Sequence, residues 1–138
     1  MTGQAQFSKL YHCVYALHYH LVLVTKYRSR CLTVPMLARM REIAAARCEG
    51  WGGALVEMSG EPDHVHLLVS LPPNLELSGF VNNLKTTTSR LIRKEFAAEI
   101  GRVYRKPVLW SRSYCAVTCG GAPLSIIKQY IESQEAPR

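Results

Sequence analysis

The sequence predicts an α+β fold of the ferredoxin-like, split β-α-β kind: an antiparallel sheet with helices on one face, followed by an appended helix. Three observations predict it. Four stretches read as strands and three as amphipathic helices. Their order is β-α-β-β-α-β-α, with a tight turn between the second and third strands. The chain has 138 residues, 48% of them hydrophobic, which suits one core and excludes global disorder. Residues 1–138 are therefore expected to form a single domain, with a loose tail over 1–10 and a hinge over 120–123.

The first strand is expected from about His12 to Thr25. One face carries His18, His20, Val22 and Val24, and the other carries Tyr19, Leu21 and Leu23. Apolar residues on both faces point to the centre of a sheet. Pro35 suits the first turn of a helix, and Met36, Leu37, Met40, Ile43 and Ala44 then recur at helical spacing to about Cys48. Gly50, Gly52 and Gly53 end it. Ala54–Ser59 reads as a strand, 60–63 as a turn and His64–Leu71 as the returning strand of a hairpin. A second helix is expected from Leu77 or Ser78 to about Ile100, with Phe80, Val81, Leu84, Leu91, Ile92 and Phe96 as its apolar set. A basic loop over 101–107 leads to a strand within Leu109–Cys119. After Gly120-Gly121-Ala122-Pro123, Leu124, Ile127 and Ile131 mark a short amphipathic helix.

His64 and His66 lie two apart on a strand, so both imidazoles leave the same face. Two neutral imidazoles about one pleat apart can grip a divalent metal ion. His18 and His20 repeat the pattern, so spacing alone also allows plain surface histidines on a half-buried strand. On the last helix Tyr130 and Gln134 are four apart and share a face. A phenol there can be a covalent nucleophile and an amide oxygen a metal ligand. The alternative is a Tyr partly in the core and a Gln at the surface.

The formal net charge is +7, and the basic residues cluster: Lys85, Arg90, Arg93, Lys94, Arg102, Arg105 and Lys106, with a smaller run at Lys26, Arg28 and Arg30. Such clustering suggests a polyanionic partner, nucleic acid before membrane, against the alternative of a solvated helix face. Trp110 and Tyr114 are candidates for stacking on an unpaired base, or for core packing. Five scattered cysteines and no hydrophobic leader argue against a disulfide framework, and no apolar run reaches the roughly 18–20 residues that cross a bilayer. A cytoplasmic protein with no membrane partner is expected.

Several pieces, in order and spacing, resemble the single-tyrosine HUH transposases, the small TnpA-type enzymes of insertion sequences that move as single-stranded DNA. They are Tyr19-His20-Leu21-Val22, Lys26-Tyr27-Arg28, Pro62-Asp63-His64-Val65-His66-Leu67-Leu68, Leu84-Lys85 with Ser89-Arg90, Trp110-Ser111-Arg112-Ser113-Tyr114, and Lys128-Gln129-Tyr130-Ile131-Glu132-Ser133-Gln134. The likeness runs over about residues 10–135. It implies that His64 and His66 bind Mg²⁺ or Mn²⁺, that Gln134 is the third protein ligand and that Tyr130 is the nucleophile. It further implies a homodimer in which the tyrosine helix of one subunit can complete the active site of the other, the cis or trans arrangement being left open, and action on single-stranded DNA with terminal hairpins through a 5′-phosphotyrosine. Rival expectations are a host-domesticated HUH nuclease processing repeated hairpins, a metal-dependent hydrolase using water, and a ferredoxin-like nucleic-acid-binding module without chemistry.

Overall fold

A computed structural model describes residues 17–119. The chain runs β1 (Leu17–Thr25), a 3₁₀ turn (Lys26–Arg28), α1 (Val34–Gly50), β2 (Ala54–Glu61), β3 (His64–Leu71), α2 (Leu77–Glu95), α3 (Ala97–Gly101) and β4 (Trp110–Thr118). The four strands form one sheet in the order β2-β3-β1-β4, with every neighbouring pair antiparallel. This is the split β-α-β arrangement that the element order predicts. The loose tail over 1–10, the hinge over 120–123 and the last helix with Tyr130 and Gln134 lie outside the described residues.

β1 and β3 occupy the centre, and alternation divides their side chains between two faces. Leu21 and Leu23 of β1 and Val65, Leu67, Val69 and Leu71 of β3 join the core with Met36, Met40 and Ile43 of α1 and Phe80, Val81, Leu84 and Ile92 of α2. Burying each such large apolar side chain is worth about 1.5–3 kcal/mol. His18, His20, Val22 and Val24 therefore share the opposite face with His64, His66 and Leu68, and Val22 stands across from His66. Polar chemistry is kept apart from the packed core by this two-residue period.

Local signals fix the connections. Thr33 caps α1 by accepting the Met36 amide, and Pro35 sits in the first turn. α1 runs on to Gly50, beyond the expected Cys48, and the chain turns at Gly52, whose φ of 86° suits glycine. The β2–β3 turn is tighter than the sequence suggests. Gly60 and Glu61 are still strand, paired with Val65 and His64, and Pro62 and Asp63 alone make the turn. Gly60 lies under Leu37 of α1, where a Cβ would come within 2.6 Å of Leu37 Cδ2. The long second helix expected to Ile100 is broken at Phe96 (φ −121°, ψ 44°), with no Gly or Pro nearby to announce it. Ile100 and Tyr104 enter the core beyond the break, and the Tyr104 hydroxyl donates to the Lys26 carbonyl at 2.6 Å. Among the described residues no helix is long and apolar enough to cross a membrane.

Candidate active site and nucleic-acid face

β3 brings His64 and His66 together as the alternation requires. Their ring centroids are 5.0 Å apart with planes at 78°, and both residues are buried. Each ring has its Nδ1 engaged. His64 Nδ1 lies 2.7 Å from Asp63 Oδ1, and His66 Nδ1 lies 2.9 Å from Nε2 of His20 on the neighbouring strand. His20 is equally buried and lies edge to edge with His66, with centroids 5.1 Å apart and planes within 15°. Asp63 also accepts from Arg28 Nη2 at 3.2 Å, and its carbonyl accepts the Thr25 amide at 3.0 Å. The turn after β1 is thereby pinned to the turn before β3, giving a chain Arg28–Asp63–His64 that leads from the basic 26–30 run into the site.

Burial favours the neutral ring at His66 and at His20. Burial, then the neighbouring His20 and His64 charges, push His66 down to about 4. Burial lowers His20 as well. At Asp63 burial acts upward, but the hydrogen bond and charge of His64 and the Arg28 guanidinium outweigh it and hold the carboxyl below its ordinary value. A carboxylate only accepts, so the His64 Nδ1 carries a proton, and in the neutral tautomer that this sets the lone pair is on Nε2, the form in which an imidazole ligates metal. Neutral rings oriented in this way fit a divalent metal. Among the described residues no group of three or more His, Cys, Asp and Glu is placed to hold such an ion, so the two histidines need a ligand from elsewhere. Gln134, expected in that role, lies outside the described residues, as does Tyr130.

Five of the basic residues, Lys26, Lys85, Arg93, Arg105 and Lys106, line two neighbouring depressions that share Val108. One, of about 280 Å³, is lined by Lys85, Ser89 and Arg93 of α2 with residues 107–110. The other, of about 250 Å³, is lined by Lys26, Tyr27, Tyr104, Arg105 and Lys106. Arg90, Lys94 and Arg102 are exposed but line neither depression. Lys85 differs from a plain phosphate ligand: its ammonium donates to the carbonyls of Ser111 and Arg112 at 2.8 and 3.0 Å and lies 5.7 Å from the Tyr114 ring centre, and burial lowers its pKa. It ties α2 to the start of β4. Tyr114 is half-buried under that ammonium.

Trp110 requires a correction. It is a core residue, 7% exposed, and its Nε1 donates to the buried Thr88 Oγ1 at 2.9 Å. Little of it is left exposed to stack on a base. The exposed aromatic beside the basic residues is instead Tyr27, 82% exposed and held at φ 61°, with Lys26 Nζ 5.5 Å from its ring centre. A non-glycine residue at such a φ carries strain of about 1–2 kcal/mol. Sequence reasoning did not single out Tyr27, since a Lys-Tyr-Arg run carries no signal for positive φ. It noted His20 as a repeat of the His-x-His pattern and within the Tyr19-His20-Leu21-Val22 piece of the resemblance, without giving it a role; the register Val22↔His66 is what sets it diagonally beside His66.

Comparison with known proteins adds an independent finding. A family profile described as "Transposase IS200 like" matches residues 13–134. The chain is 32% identical over 121 residues to the ISDra2 transposase TnpA of Deinococcus radiodurans, covering 88% of this chain and 86% of that one. It is 28% identical over 127 residues to the transposase of insertion sequence element IS200 from Salmonella typhimurium, covering 92% and 82%. Among solved structures, a Deinococcus radiodurans R1 chain assigned as a transposase superposes with a TM-score of 0.71 at 32% identity, over 94% of this chain and 97% of that one. A REP-associated tyrosine transposase bound to a REP hairpin shares the fold, with a TM-score of 0.52 at 13% identity over 88% of this chain and 67% of that one.

Proposed function

The chain belongs to the IS200-like, single-tyrosine HUH transposases, and from that premise we propose that it cuts and rejoins single-stranded DNA at hairpin-bearing ends through a 5′-phosphotyrosine. The observation that carries the reading is the pair His64 and His66, side by side on β3, each with its Nδ1 engaged by a buried or half-buried partner.

His64 and His66, with Gln134, would hold Mg²⁺ or Mn²⁺, which supplies charge stabilisation to the scissile phosphate. Every other role falls to the chain itself. Tyr130 gives up its phenolic proton and its oxygen attacks phosphorus; the P–O bond to tyrosine forms as the P–O3′ bond breaks, and the departing 3′-oxygen takes up a proton. A 3′-hydroxyl from another cut end then attacks the phosphotyrosine, so the phosphodiester is remade and the phenol returned. The linkage keeps the bond energy, and no nucleotide cofactor is needed. Asp63, itself held by Arg28, keeps the His64 ring in place.

The two basic depressions, with Arg93, Arg105, Lys106 and Lys26, would hold the hairpin backbone, and Arg90, Lys94 and Arg102 extend the same positive field. Tyr27 offers an exposed ring for an unpaired base, and Tyr114 a partly covered one. A homodimer sharing its active site between subunits is part of the proposal, since the tyrosine follows a Gly-Gly pair that would let its helix reach a partner. The test is cleavage of end-labelled, hairpin-bearing single-stranded DNA with Mn²⁺ or Mg²⁺. A His64→Ala, His66→Ala double variant should lose cleavage while keeping hairpin affinity within a few-fold; normal cutting by that variant refutes the assignment.

A further inference from the structure

We infer that His20 is a positioning residue that fixes the tautomer of His66, holding the His66 proton on Nδ1 so that Nε2 keeps its lone pair for the metal. The inference rests on the metal role proposed for His66 and extends it to a residue outside the His-x-His pair that supplies the ligands.

The geometry is specific. His20 Nε2 and His66 Nδ1 are 2.9 Å apart, a hydrogen-bond distance between two ring nitrogens. Both residues are more than nine-tenths buried, 5% and 6% exposed, and their ring planes lie within 15° of each other. The antiparallel register of β1 on β3 sets His20 diagonally across from His66, within reach of a long side chain.

Two neutral imidazoles at that distance must share one proton. Two facing lone pairs would repel, and two facing N–H groups would collide. Two arrangements remain. If His20 donates from Nε2, then His66 accepts at Nδ1, carries its own proton on Nε2, and cannot ligate through that atom. If His66 donates from Nδ1, then His20 accepts, and the His66 Nε2 lone pair is free. Only the second arrangement makes His66 a ligand, and it sets His66 in the same tautomer that Asp63 imposes on His64.

The two orienting partners differ in kind. Asp63 is an acceptor at any pH near neutrality, whereas His20 is an uncharged acceptor that would make His66 a less basic ligand than a carboxylate partner would. The site therefore combines one firmly held ligand with one weakly polarised ligand, which suits an exchangeable ion.

The experiment has two arms. In the metal-free wild-type protein, long-range ¹H–¹⁵N correlation spectra read the tautomer of each histidine without any catalysis. His66 should be protonated on Nδ1; protonation on Nε2 overturns the inference and leaves the proposed transposase chemistry to be judged separately. The second arm measures Mn²⁺ affinity by calorimetry. His20→Leu, which removes the acceptor, should weaken binding by roughly 10- to 100-fold, and His20→Gln, whose amide oxygen replaces the Nε2 acceptor, should restore most of it. Equal Mn²⁺ affinity in wild type and His20→Leu refutes the positioning role, and so does failure of His20→Gln to exceed a folded His20→Leu. Should His20→Leu fail to fold, the wild-type tautomer and the His20→Gln affinity still decide. The His64→Ala, His66→Ala control separates the two layers: if it binds Mn²⁺ as well as wild type does, the metal reading itself fails and carries this inference with it.

Discussion

Thr88→Val tests how the site's supporting strand is anchored. Thr88 is 1% exposed; its Oγ1 donates to the Leu84 carbonyl at 2.8 Å and accepts from Trp110 Nε1 at 2.9 Å. Valine has nearly the same shape, so the substitution opens almost no cavity. The Leu84 carbonyl sits within α2 and loses only a supplementary donor. The indole N–H, in a residue 7% exposed, loses its acceptor. An orphaned buried donor costs about 1–3 kcal/mol. Urea unfolding at fixed protein concentration should move the midpoint down by about 1 M, taking a slope of about 2 kcal/mol per molar, with the slope unchanged. Trp110→Phe removes the donor, so in the Thr88→Val background it should cost about 1 kcal/mol less than in wild type. Folded Thr88→Val should bind a DNA hairpin as wild type does. A Thr88→Val variant within about 0.5 kcal/mol of wild type, or a Trp110→Phe variant that loses hairpin affinity without losing stability, would refute the placement of Trp110 in the core.

Hairpin affinity should fall steeply with salt, and Arg93→Ala with Arg105→Ala should lower the slope of log K against log salt by roughly 1–2; salt-independent binding contradicts the basic face. Lys85→Ala should lower stability as well as affinity, because Lys85 ties α2 to the carbonyls of Ser111 and Arg112; a pure affinity loss contradicts that. The metal-free protein should lose stability on acidification. His66 is held at about 4, below its ordinary 6.5, so the unfolded chain takes up the proton first. The stability given by the neutral ring is complete above about 6.5, declines between 6.5 and 4 and is flat below, with a span of about 3 kcal/mol. His66→Gln should flatten the unfolding midpoint between pH 6.5 and 5, and an unchanged slope counts against a buried neutral His66.

The fold was legible because the sheet's two faces demand opposite chemistries. A period of two along β1 and β3 sorts Leu21, Leu23, Val65 and Leu67 from His20, His64 and His66, and that pattern survives in any register. Element boundaries were less legible where tertiary packing decides. Gly60 looks like a turn residue, yet it is strand because Leu37 needs the space above it. Phe96 ends α2 without any breaker in the sequence, because Ile100 and Tyr104 are drawn into the core beyond it. At the site, the His-x-His spacing carried the pair but not their partners. Asp63 could be suspected from its adjacency to His64, whereas His20 depends on a register between strands 46 residues apart in sequence. Trp110 and Tyr27 show the same limit: aromatic type and neighbouring charge suggest a base-stacking role, and only burial separates the core indole from the exposed phenol.

The most direct measurement is the covalent adduct of Tyr130. Wild type and Tyr130→Phe are incubated with end-labelled single-stranded DNA carrying a hairpin, with Mg²⁺ or Mn²⁺, and resolved under denaturing conditions. A label at the 3′ end, on the fragment whose new 5′-phosphate is joined to Tyr130, should stay with wild-type protein, and Tyr130→Phe should bind the hairpin normally yet carry none. An adduct on the Tyr130→Phe variant assigns the nucleophile to another residue, and cleavage without any adduct in wild type contradicts the phosphotyrosine chemistry altogether.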